Sequence, residues 1–79
     1  MKINIQDIIT LNDNNEYVVV SKIEIKNKEY ICIIDINDKT NIKYAEVKKE
    51  YISIINNNEE ELLNTIIPLF YINSYNKIN

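Results

Sequence analysis

Apolar and polar side chains alternate along most of the chain up to residue 55, and beyond residue 58 the apolar spacing becomes helical. Residues 16–26 (EYVVVSKIEIK) and 29–36 (EYICIIDI) are rich in β-branched and aromatic side chains, which favour a pleated surface. Folding them back with Asn27 and Lys28 as turn residues pairs Ile25 with Tyr30, Ile23 with Cys32, Ser21 with Ile34 and Val19 with Ile36 on one face. The other face then pairs Lys26 with Glu29, Glu24 with Ile31, Lys22 with Ile33 and Val20 with Asp35. The first face is almost wholly apolar and the second is mixed. A slip by one residue scrambles that separation, so the pattern favours this register.

The flanking text predicts the remaining elements. Residues 5–11 form a first strand containing Ile8, Ile9 and Leu11, and residues 12–15 (NDNN) form a turn, because Asn and Asp side chains bond their own backbone. Residues 37–40 are a second turn and residues 41–47 another strand, whose periodicity changes phase between Tyr44 and Ala45 and so predicts a bulge. Residues 51–55 are a last short strand. Asn58 then fits a helix N-cap, with Glu61 three residues on completing a capping box and Glu59 and Glu60 suiting the positive end of the helix dipole. Leu62, Leu63, Ile66, Ile67 and Phe70 recur at helical spacing. The helix covers about residues 58–72; Pro68 kinks it or ends it near Ile67, and the polar tail 73–79 frays. The expected fold is one α+β domain over residues 1–79. It is an antiparallel β-meander of about four to five strands, with the C-terminal helix packed on the apolar face of the central hairpin.

Composition narrows the function. The 79 residues contain no Gly, His, Trp or Arg, so all nine cations are Lys. Heavy use of Ile, Asn, Lys and Tyr is what an AT-rich genome encodes, and the Asn residues are scattered among strand-like segments rather than gathered in a prion-like tract. A net charge of −3 lacks the basic stripe that phosphate neutralisation needs, which argues against direct nucleic-acid binding. One Cys rules out an internal disulfide and suits a reducing compartment. No apolar run approaches the roughly 18 residues of a membrane span, and the N-terminus lacks a signal core. The expectation is a soluble, cytoplasmic protein with no membrane partner.

Candidate chemistry is sparse. Without His there is no imidazole base and no ordinary zinc site, and without Gly no glycine-rich phosphate loop. Cys32 has no ligand or base partner by type and reads as a small core hydrophobe. Glu59, Glu60 and Glu61 point in different directions on a helix, and Asp35, Asn37 and Asp38 lack calcium-hand spacing. The chain is therefore expected to be no enzyme and to use no cofactor or metal. The tyrosines are more informative. Tyr17 and Tyr30 belong to the core or its edge. Tyr44 falls on the mixed face beside Ile33, with Val18, Val20, Ile31 and Ile42 close by. Val20, Ile33, Asp35, Ile42, Tyr44 and Glu46 are thus the candidate protein interface, on the sheet face away from the helix, rimmed further by Glu24, Lys22 and Lys48. The other reading of the same pattern is a sheet edge tucked under the N-terminal strand or the tail.

The run from Ile9 to Ile23 (ITLNDNNEYVVVSKI), then KEYI at Lys28, Asp35-Ile36-Asn37, NIKY at Asn41, Leu62-Leu63 and Pro68-Leu69-Phe70, resembles small uncharacterised proteins of low-GC Gram-positive bacteria and their phages. The resemblance spans about residues 8–70. It implies a β-meander with a C-terminal helix and carries over no catalytic residue. A phage or mobile-element origin would point to a small anti-defence protein, such as an anti-CRISPR inhibitor. Two functions follow as expectations. One is a non-enzymatic module that occludes a surface on a larger protein partner, such as a host defence nuclease. The alternative is a small structural or regulatory protein, a homodimer pairing through a sheet edge or the Tyr44 patch.

Overall fold

Asp side chains shape two of the four reversals between strands. In the computed structural model, which describes the backbone of residues 1–78 and the side chains of residues 1–72, Asp13 accepts the Asn15 amide at 2.9 Å, Asp35 the Asn37 amide at 2.8 Å and Asp38 the Thr40 amide at 3.1 Å. The first two bonds turn the chain at residues 12–15 and 36–37, whereas Asp38 and Thr40 already belong to the strand that follows. The strands are β1 (Ile8–Thr10), β2 (Glu16–Ile25), β3 (Lys28–Asp35), β4 (Asp38–Val47) and β5 (Ile52–Ile54), followed by helix α1 (Glu60–Ile78). All neighbours are antiparallel, in the order β1-β2-β3-β4-β5. The α+β meander with one C-terminal helix is the expected fold.

The central hairpin turns one residue earlier than the sequence suggests. Lys26 and Asn27, at φ of 50° and 66°, are the turn residues, and Ile25 pairs with Lys28. Positive φ at both central positions is the mark of a turn whose twist matches its strands. Ile23 now faces Tyr30 and Ser21 faces Cys32. The expected and observed registers differ by a two-residue slip of one strand against the other. That slip keeps every side chain near the turn on its own face, so apolar patterning does not discriminate between them.

A bulge between Val19 and Ser21 then does what patterning did not foresee. The extra residue rotates the first half of β2 by one face. Tyr17 and Val19 join Ile31, Ile33 and Ala45 in one layer, each 0% exposed. Val20, Ile23 and Ile25 join Tyr30, Cys32 and Tyr44 in the other, beneath Leu62, Leu63, Ile66 and Phe70 of α1. Both faces of the sheet are therefore apolar, not one apolar and one mixed. The bulge expected at Tyr44 and Ala45 is absent: these residues pair in register with Cys32 and Ile31. Their change of phase reflects burial on both faces.

The first layer is closed by the N-terminal segment. Ile3 is buried in it, the Met1 ammonium donates to the Lys49 carbonyl at 2.8 Å, and Lys22 Nζ donates to the Ile3 carbonyl at 2.9 Å. Residues 5–7, expected to begin the first strand, instead form a turn with Gln6 at φ 79°, and β1 starts at Ile8. At the helix, Glu59 rather than Glu61 makes the capping contact: its Oε2 accepts the Asn56 amide at 2.8 Å, and its carbonyl accepts the first helical bond from Leu63. Asn58 is not the cap. Helix α1 passes through Pro68 and runs to Ile78, so the backbone of 73–78 is helical rather than a frayed tail; Asn79 lies outside the described residues.

Candidate interaction surface

The six residues expected to form one patch are divided between two layers. Ile33 is 0% exposed in the layer that Ile3 closes, and its neighbour in β4 is Lys43, not Tyr44. Asp35 is also buried. It takes the Asn37 amide and, at 3.2 Å, the Asn41 side-chain amide. Tyr44 pairs with Cys32 and faces the helix, its ring 5.5 Å from that of Phe70. Val20 packs in the same layer. Glu46 is half-buried beside Lys48 at 3.7 Å. Ile42 alone of the six is largely exposed. The alternative reading, a sheet edge under the N-terminal strand, does not describe Ile33 either: it lies in the middle strand, and Ile3, ahead of β1, is in its cluster.

What the sheet exposes instead is a row. Ile8 pairs with Val18, Val18 with Ile34, and Ile34 with Ile42, so these four side chains cross β1 to β4 on the helix-bearing face. None of the four belongs to the cluster that Leu62, Leu63, Ile66 and Phe70 of α1 form with the sheet. Ile8 and Ile42 are 53% and 46% exposed, and Val18 and Ile34 are half-buried. The row continues onto the helix flank, where a cleft of about 400 Å³ is lined by Ile42, Tyr44, Leu63 and Ile67 with Asn56 and Asn57. Ile8 and Ile34 were legible as strand residues but not as surface. Val18 was assigned to the face opposite Ile34, and only the bulge brings the two together.

The polar groups serve structure. At one end of the sheet Tyr17 Oη donates to Asp13 at 2.7 Å and receives the Asn41 side-chain amide at 3.1 Å, which also donates to Asp35. This chain ties the β1–β2 reversal to the β3–β4 reversal. The Tyr17 hydrogen bond, with the Asn15 amide, holds the Asp13 carboxyl below its ordinary range, while burial and Asp13 push Tyr17 up. Burial pushes the Cys32 thiol up to about 11, as expected of a core cysteine and unlike an activated nucleophile. Among the described residues no group of three or more His, Cys, Asp or Glu side chains could hold a metal ion, and no helix is long and apolar enough to cross a membrane.

The fold and this surface define a small α+β meander protein with an apolar row beside its helix. Compared with protein-family models, curated proteins and solved structures, the chain matches none.

Proposed function

We propose that this chain is a non-enzymatic binding module that docks its exposed isoleucine row onto a larger protein and occludes a surface there. The observation that carries this reading is the contiguity of Ile8, Val18, Ile34 and Ile42 across four strands, extended by Ile67. Contiguous exposed apolar side chains with a polar rim are typical of protein interfaces. The narrower reading is an inhibitor of a host defence nuclease carried by a phage or mobile element. Its supports are small size, net charge −3 suited to a basic nucleic-acid channel, and the resemblance to small phage and Gram-positive proteins. The test is affinity capture of the tagged chain from its native or phage-infected host, beside the double variant Ile8→Asp, Ile42→Asp. Both positions are exposed, so the variant keeps the wild-type circular dichroism spectrum. The expected outcome is one stoichiometric large partner, lost with the variant. A partner retained by the folded variant refutes docking through the row, and a partner that is not a nuclease removes the narrower reading.

A further inference from the structure

We propose that the cavity between the two edge strands binds a free α-amino acid with an apolar side chain. Strands β1 and β5 are the outermost strands of the sheet, yet Thr10 of β1 and Ile52 and Ile54 of β5 line the same cavity of about 560 Å³. The sheet therefore curls until its two edges flank one opening. The mouth of a curled sheet is a common place for small-molecule sites, and the volume lies within the roughly 300–1,000 Å³ of ligand pockets. Leu11, Ile52 and Ile54 pack against the buried cluster around Ile33 and give the cavity an apolar wall. Tyr51, 57% exposed, adds an aromatic ring at the rim. This site belongs to the layer that Ile3 closes, so it is separate from the isoleucine row on the helix-bearing face.

Two opposite charges line this cavity without pairing. Lys43 is within electrostatic reach of Asp13, yet among the described residues its ammonium makes no ion pair or hydrogen bond. Each group is held from its own side. Lys43 sits in register opposite Ile33 in the β3–β4 ladder. Asp13 is fixed in the β1–β2 reversal, where Oδ1 accepts the Asn15 amide at 2.9 Å and Oδ2 accepts Tyr17 Oη at 2.7 Å and the Asn15 side-chain amide at 3.5 Å. A carboxylate offers about four acceptor sites, so these bonds leave room for one more donor. The Met1 ammonium at the rim is engaged by the Lys49 carbonyl. A simple anion at Lys43 is repelled by Asp13, and a simple cation at Asp13 is repelled by Lys43. A zwitterion avoids both: its carboxylate meets Lys43 and its ammonium meets Asp13. An α-amino acid carries both charges on one carbon, which leaves its side chain free to lie on Leu11, Ile52 and Ile54.

Amide NMR of the isotope-labelled full chain, titrated with L-phenylalanine and separately with L-leucine, tests the site. The expected result is saturable shifts at Leu11, Asp13, Lys43, Ile52 and Ile54 with at least one of the two. Hydrocinnamate, which lacks the ammonium, and phenethylamine, which lacks the carboxylate, should each bind at least about tenfold more weakly than L-phenylalanine, about 1.4 kcal/mol. Lys43→Met removes the charge and keeps an apolar stem, so it should weaken amino-acid binding by a similar factor while amides away from the cavity keep their positions. Asp13→Asn keeps acceptors for Asn15 and Tyr17. It should weaken L-phenylalanine but strengthen hydrocinnamate, because the repulsion is gone. The absence of saturable shifts with both amino acids overturns the proposal. So do shifts confined to other parts of the molecule, an analogue that binds as tightly as the amino acid, or unchanged binding by folded Lys43→Met.

Discussion

Ile33 and Ile42 were expected side by side in one surface patch, and the structure separates them completely, so truncating each in turn measures the difference. Ile33→Ala removes three carbons from a side chain that is 0% exposed and enclosed by Tyr17, Val19, Ile31 and Ala45. At about 0.8 kcal/mol per buried methylene the transfer loss is about 2.4 kcal/mol. The cavity adds to it, because a five-stranded sheet capped by Ile3 collapses only partly, giving about 2.5–4 kcal/mol in total. Ile42 is 46% exposed at the end of the row, and Ile42→Ala should cost no more than about 0.5–1 kcal/mol. Urea unfolding followed by circular dichroism separates the two. With a slope near 1 kcal/mol/M, typical at the small end, Ile33→Ala should lower the midpoint by about 2.5–4 M and Ile42→Ala by at most about 1 M. A domain of this size has about 4–12 kcal/mol in all, so Ile33→Ala could be largely unfolded at 37 °C while Ile42→Ala is not. Equal costs at the two positions, or a larger cost at Ile42, would refute the two-layer assignment and return Ile33 to the surface.

Two further outcomes test other parts of the fold. Tyr17→Phe should destabilise the protein, and because Tyr17 is the main group holding the Asp13 carboxyl low, it should also flatten the acid limb of the stability curve. A carboxyl lowered on folding contributes stability that is present above its unfolded value of 3.8 and lost as pH falls through the folded value. The wild-type advantage should therefore be full at neutral pH and shrink below about pH 3.8 in acid titrations of thermal stability; an advantage independent of pH would sink the assignment. Pro68→Ala should stabilise by up to about 3 kcal/mol and deepen the helical signal at 222 nm, since proline in an exposed helix interior forfeits a backbone bond and crowds the preceding turn. A loss of stability would mean that Pro68 makes a favourable contact the helix needs.

Local chemistry gave the number and kind of the elements but not all of their bounds. The Asn and Asp cluster at residues 12–15 carries its turn in its own side chains, whereas the turn expected at 37–40 falls at Ile36-Asn37 and Asp38 already begins β4; the β-branched runs need a pleated surface, and the stripe ending in Phe70 needs a partner face. Cys32 as a core residue was legible for the same reason, as an apolar position in an apolar run. The hairpin register, the bulge at Val19 and Ser21 that turns Val18 to the helix side, and the β3–β4 register that sets Tyr44 opposite Cys32 were not. An alternating pattern repeats every two residues, so it reads the same after a two-residue slip. A bulge reverses the faces with no mark in composition. Which face is covered depends on Ile3 and Ile66, far apart in sequence, arriving on opposite sides of the same sheet. The apolar row is a consequence of that arrival, and only the assembled molecule decides it.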